Sequence, residues 1–144
     1  MIIAIASLSL MIWLYCLLFR GAYWRATTTD ELSAQAPAQW PDIVAVIPAR
    51  NEQDSIAKSV ASLLAQDYPG NLSIILVDDN SEDDTAAIAQ ALPRETGSSV
   101  PLTVLRGEPL AERWTGKLWA VHQGIEAAKK GKPDFLLLTD ADIV

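Results

Sequence analysis

Hydrophobic and polar positions follow three different patterns along this chain. From Ile2 to Phe19 the sequence is mostly apolar and contains no charged residue. As a helix this run would measure about 27 Å, close to the hydrocarbon thickness of a bilayer. Arg20, Tyr23, Trp24 and Arg25 follow directly, and aromatic rings with arginines suit the headgroup region. No Lys or Arg precedes the span, so the arginines behind it predict a cytoplasmic C-terminal side, as for a protein of the inner membrane. A cleaved signal peptide would need a basic start and a small-x-small cleavage site, and neither precedes Arg20. The expected organisation is a membrane anchor over 1–20, a juxtamembrane linker over 21–41 and a folded unit over 42–144. In the linker a Thr triplet, Ser, Ala, Gln and prolines replace any periodicity.

From Asp42 the pattern becomes β-α-β-α-β-α-β. Ile43 to Ile47 reads as a buried strand ending at Pro48. Asp54 or Ser55 then suits a helix N-cap, and Ile56, Val60, Leu63 and Leu64 mark the stripe of a helix packed on a sheet. Leu72 to Val77 is the second strand. Ser81 to Asp84 opens a helix running to about Ala91, and Pro93 to Ser99 reads as a loop. Leu102 to Leu105 is the third strand, and Gly107 to Lys117 is irregular. Leu118, Val121, Ile125 and Ala128 mark another helix, and Phe135 to Leu138 is the fourth strand. Strands alternating with helices predict an α/β fold, a doubly wound, mainly parallel sheet covered on both faces.

Composition refines this picture. The chain has 144 residues, 50% of them hydrophobic and 20% charged. All 11 Lys/Arg and all 18 Asp/Glu follow Phe19, so the part after the apolar run carries the whole net charge of −7. Such a surface argues against nucleic-acid binding, which needs a basic face. It does not exclude a nucleotide held through a metal. The lone Cys16 allows no internal disulfide and reads as a packing residue of the apolar run.

Two acidic stretches follow two of the expected strands: Asp78-Asp79-Asn80-Ser81 and Asp140-Ala141-Asp142. In open α/β sheets ligands bind past the carboxyl ends of the strands. A carboxylate at the first stretch can accept hydrogen bonds from a nucleobase or a ribose, while Asn80 or Ser81 suits a helix cap. Two carboxylates one residue apart can share a divalent cation that bridges a diphosphate, and Mg²⁺ and Mn²⁺ prefer such oxygens. Lys117, after Gly116, can reach a phosphate near a helix start. Pro48-Ala49-Arg50-Asn51-Glu52 is, on local grounds alone, a strand-to-helix turn with a capping Asn. His122 has no second His or Cys near it and reads as a surface or interface histidine, and Lys129, Lys130 and Lys132 read as a solvated helix end.

Taken in order, Ile47-Pro48-Ala49-Arg50-Asn51-Glu52, Val77-Asp78-Asp79-Asn80-Ser81, Gly116-Lys117 with Gln123-Gly124, and Asp140-Ala141-Asp142 resemble the family-2 inverting glycosyltransferases of the GT-A fold. The segments Ser59 to Gly70 and Trp114 to Ala120 are more particularly similar to the hopanoid-biosynthesis-associated branch. The resemblance implies a nucleotide-diphosphate-sugar donor such as a UDP-sugar, a divalent metal, and a lipid acceptor at the membrane. By position it implies donor contacts for Arg50, Glu52, Asp78, Asp79, Lys117 and Asp140, with Asp140 and Asp142 as the metal pair. Many relatives carry Tyr where this chain has Arg50, so a cation replaces base stacking there. The family's general base lies well downstream of the D-x-D motif, so it is expected beyond Val144. Residues 42–144 are therefore expected to be a donor-binding half, inactive alone unless Glu108 or Glu112 folds over the sugar. Three alternatives differ in chemistry. A sugar-phosphate nucleotidyltransferase would carry a Gly-rich basic loop after its first strand. A nicotinamide-binding domain would carry G-x-G-x-x-G. A membrane-tethered module binding only a cation would ignore nucleotides.

Overall fold

The computed structural model describes residues 2–20 and 37–143. The chain divides into two compact units, Met1–Ala36 and Pro37–Val144. The first contains helix α1 (Ile2–Phe19), with no buried residue, and its length and composition are enough to cross a membrane. Cys16 is a free thiol within it. Tyr23, Trp24 and Arg25, and the linker as far as residue 36, lie outside the described residues.

The second unit runs β1 (Ile43–Ala49), α2 (Ile56–Leu64), β2 (Leu72–Asp78), α3 (Thr85–Thr96), β3 (Leu102–Arg106), α4 (Gly116–Ala128) and β4 (Phe135–Leu138). The strands form one sheet in the order β3-β2-β1-β4, and every pairing is parallel. Successive side chains point to opposite faces. Ala45, Ile47, Ala49, Ile74 and Leu76 therefore join Ile56, Val60, Leu64, Ala89 and Leu92 under α2 and α3. Val44 and Val46 pack with Ala128 under α4 on the other face. The doubly wound sheet expected from the pattern is present. Burying such an aliphatic side chain contributes about 1.5–3 kcal/mol, so this two-sided core holds the strand ends in register.

Four details differ from the sequence-based expectation. First, β1 runs through Pro48 to Ala49 rather than stopping at Ile47. Val46 O still accepts from Thr139 N, and Ala49 O accepts from Asp79 N on the opposite side. Alternation then aims the nitrogen of Pro48 at β4, where the ladder has already ended at Val46 and Leu138. The missing N–H costs no pairing with β2.

Second, α3 begins at Thr85 and continues through Pro93 to Thr96, closing on Gly97 in the left-handed region at φ 67°. Burial of Leu92 holds the turn around the proline, and Thr96 Oγ1 donates to Leu92 O. Third, α4 starts at Gly116 and buries Ala120, Gly124 and Ala128 rather than the large residues at 118, 121 and 125. A Cβ on Gly124 would lie 2.4 Å from Val46 Cγ1 and 3.1 Å from Val77 Cγ2. The helix thus lies too close to the sheet for large side chains, which are displaced to its flank, leaving Leu118 exposed.

Fourth, Ser55 does hold the N-cap position of α2, but its side chain makes no capping bond. Its hydroxyl donates to Glu52 Oε2 at 2.7 Å instead.

Candidate functional site

The register Ala49↔Asp78 places the loops after β1 and β2 side by side, and short polar side chains join them. Asn51 and Ser81, both candidate helix caps from sequence, cap nothing. Asn51 N donates to Ser81 Oγ at 2.9 Å, and Glu82 N donates to Asn51 Oδ1 at 2.8 Å. Glu52 N donates to Thr85 Oγ1 at 2.8 Å, Thr85 Oγ1 donates to Asp83 Oδ1, and Gln53 N donates to Asp83 Oδ2. The Thr85 hydroxyl holds the Asp83 carboxyl below the ordinary aspartate range, and the N–H groups of Thr85 and Gln53 add to this. Asn51 and Asn80 take positive φ, 54° and 55°, a conformation asparagine tolerates well. Asp83 and Thr85 had no signal in the sequence beyond their small polar character.

These loops form one wall of an open cleft of about 320 Å³ at the carboxyl edge of the sheet. Arg50, Glu52, Asp79, Lys117, Asp140 and Asp142 all line it, with Gly116, Ala120 and Ala141. It sits where the strand order reverses, between the loops of β1 and β4, the place at which open α/β sheets bind ligands. Ala141 is buried in the core, which turns Asp140 and Asp142 outward on either side of it. This is why the triplet needs a small apolar residue at its centre.

Asp78 is the candidate that the fold does not bring to the cleft. Its Oδ1 accepts from Ser81 N at 3.2 Å, and it lines a separate hollow with Gln90 and Arg106 on the β3 side. Glu108 and Glu112 do not line the cleft either.

Lys117 Nζ lies 2.7 Å from Asp140 Oδ1. That hydrogen bond holds the ammonium above the ordinary lysine range. Partial burial opposes the shift, and the charges of Asp140, Asp142 and Glu52 reinforce it. Across the cleft, Arg50 Nη1 stands 3.6 Å from Asp79 Oδ2. A Cβ on Gly116 would lie 3.0 Å from Asp79 Oδ2, so any larger residue at the start of α4 would press on this carboxylate. Thr115 caps α4 without a side-chain hydrogen bond, which leaves first-turn N–H groups free for an anion.

Among the described residues no cluster of three metal-ligating side chains exists. Asp140 and Asp142 nevertheless offer hard oxygen donors, and Asp142 makes no hydrogen bond with another described residue. The pair fits a divalent ion that draws its remaining ligands from a diphosphate and water.

The segment leading into α4 is also fixed. Glu108 N donates to Gln123 Oε1 at 2.7 Å, and Trp119 Nε1 donates to Pro109 O at 3.1 Å. Trp114 lies against His122 and Trp119, with ring centroids 4.8 and 5.3 Å apart. His122 is thus a packing partner.

Comparison with known proteins agrees with this geometry. The model of the family described as Glycosyl transferase family 2 matches residues 44–144. The succinoglycan biosynthesis protein ExoU of Rhizobium meliloti is 39% identical over 77 residues, 54% of this chain and 20% of its own length. The 4,4'-diaponeurosporenoate glycosyltransferase of Staphylococcus aureus is 33% identical over 98 residues, 68% of this chain and 23% of its own. The chain thus spans about a fifth to a quarter of the length of these relatives.

Among solved structures, the mannosyltransferase PcManGT of Pyrobaculum calidifontis, in complex with GDP-Man and Mn²⁺, matches with a TM-score of 0.57 at 23% identity. That match covers 74% of this chain and 29% of the other. S. aureus TarS in complex with UDP matches at 0.53 and 23% identity, over 70% and 27% of the two chains. Glucosyl-3-phosphoglycerate synthase of Mycobacterium tuberculosis matches at 0.53 and 25% identity, over 72% and 35%. The sheet is of the GT-A kind, and the chain belongs to glycosyl transferase family 2.

Proposed function

We propose that this chain is the donor-binding part of a membrane-anchored, inverting glycosyltransferase. It binds a nucleotide-diphosphate sugar with a divalent metal, and the sugar passes to a lipid-class acceptor, hopanoid-related by the resemblance of residues 59–70 and 114–120. The observation that carries this reading is the meeting of Arg50, Glu52, Asp79, Lys117, Asp140 and Asp142 around one cleft. Asp79, with Arg50 beside it, receives the base or ribose, and Lys117 with the first turn of α4 receives the diphosphate. Asp140 and Asp142 hold the metal, which would offset charge developing on the leaving diphosphate.

The Mn²⁺ and GDP-Man of one structural neighbour and the UDP of another support the metal and the donor class. The relative named for diaponeurosporenoate supports a lipid-class acceptor. Titrating UDP into the full chain in detergent, with and without Mn²⁺, tests the reading. Binding should need Mn²⁺, and Asp142→Asn should weaken it by roughly 1.5–3 kcal/mol, the worth of a charge-assisted contact. Equal binding by the mutant, or binding indifferent to chelator, would remove the D-x-D from the mechanism. A response to Mn²⁺ with none to UDP would leave a cation-binding module.

A further inference from the structure

Two roles converge on one carboxylate. Asp140 belongs to the pair that fits a divalent ion, yet its Oδ1 already accepts from Lys117 Nζ at 2.7 Å. Asp142, the other member of that pair, is exposed. Lys117 also lies in the field of Asp142 and Glu52, so an ammonium stands where the acidic oxygens of the cleft gather.

Mg²⁺ takes carboxylate oxygens at about 2.0–2.1 Å. An ion held that closely by Asp140, with the ammonium still bonded there, would set two cations side by side on one carboxylate, where they repel. The ammonium is free to leave. The Lys117 and Asp140 side chains are 62% and 44% exposed, and ion pairs so exposed hold weakly. Helix α4 does not depend on the pair, because buried Ala120, Gly124 and Ala128 seat it on the sheet. Lys117 also has another partner within its compass. It is the second residue of α4, beside first-turn N–H groups that the Thr115 side chain leaves free. An ammonium on a flexible four-carbon stem, next to such a helix start, suits a phosphate.

We infer that Lys117 is an exchangeable counter-ion of the metal pair: it neutralises Asp140 in the empty cleft, gives way to the divalent ion, and moves to the diphosphate. This rests on the metal- and donor-binding reading above and adds an order of events to it. Without nucleotide, the displaced ammonium finds only water, so metal alone binds weakly. With nucleotide, the diphosphate supplies ligands to the ion and a partner to Lys117 together. Metal and nucleotide therefore tighten one another's binding, by the same factor in both directions.

The test uses the full chain in detergent, with Mn²⁺ binding read from the electron paramagnetic resonance signal of the free ion and UDP binding from calorimetry. Without UDP, Lys117→Met should bind Mn²⁺ about three- to fivefold more tightly than the wild type, the strength of an exposed ion pair. At saturating Mn²⁺ the same variant should bind UDP more weakly. Opposite signs in the two measurements separate exchange from a salt bridge that merely steadies the fold, whose loss would weaken both or neither. Asp140→Asn removes the contested carboxylate, and in that background Lys117→Met should no longer tighten Mn²⁺.

Equal Mn²⁺ affinity in wild type and Lys117→Met, measured without UDP, would overturn the inference and leave the metal site standing. A gain that persists with Asp140→Asn would also overturn it, since Lys117 would then act through its general field. So would unchanged UDP affinity in Lys117→Met, because the ammonium would not have moved to the diphosphate. Mn²⁺ bound by no variant, with or without UDP, would defeat the metal reading itself and the exchange with it.

Discussion

Lys117 shows how little separates a structural from a functional side chain in this cleft. Its partner Asp140 holds its pKa above the ordinary lysine value of 10.5. A raised lysine pKa contributes fully below the unfolded value and is lost as pH rises through the folded one. The stability difference between wild type and Lys117→Met should therefore be flat across neutral pH and shrink only above the ordinary lysine range, as metal-free denaturant melts across pH would show. Lys117→Met should also lower Mn²⁺-dependent UDP affinity at neutral pH, which calorimetry would detect. Gly116→Ala presses a methyl toward Asp79 Oδ2, and it should weaken nucleotide binding severalfold with little change in melting temperature. The two acidic stretches were legible as strand-end positions at the carboxyl edge of the sheet because each follows an apolar run. Which of Asp78 and Asp79 enters the cleft was not legible. Neighbouring residues at a strand end face opposite ways, and only the tertiary placement of the cleft decides between them.

At the scale of elements, the clasp between the β1 and β2 loops depends on the Thr85 hydroxyl, which is fully buried. Thr85→Val should destabilise the unit by about 1–3 kcal/mol, since it leaves Glu52 N without its acceptor and takes one of three donors from Asp83. A depressed aspartate contributes above its unfolded pKa and is lost as pH falls through the folded value. The stability difference between wild type and Thr85→Val should therefore shrink in acid, as denaturant melts across pH would show. Gly124→Ala sets a helix-propensity gain of about 1 kcal/mol against overpacking on Val46 and Val77, which costs about 1–3 kcal/mol. The expected net result is a lower melting temperature, recovered in part by Val46→Ala. Strand order along the chain and the stripe of α2 were readable from periodicity. The buried face of α4 was not, because its close approach to the sheet selects small residues, and these carry no hydrophobic signal. Pro93 misled for a related reason: local propensity ends a helix there, while burial of Leu92 carries it on.

For the whole molecule, the arginines behind α1 favour a cytoplasmic α/β unit, where nucleotide sugars are made. A reporter that functions only outside the cytoplasm, fused after Val144, should stay silent. The four residues of β4 are all exposed, from 37% at Leu136 to 61% at Phe135, on an edge with no charge or proline to blunt it. The other flank of β4 meets β1, and there Pro48 can offer no proton to the Thr139 carbonyl one rung beyond the last bond. The two strands unzip at a rung fixed by a covalent ring, not by the bulk of the side chains around it. Pro48, Ala49, Asp140 and Asp142 line the cleft just beyond that rung, and the proline leaves no β1–β4 hydrogen bond there for an arriving donor to break.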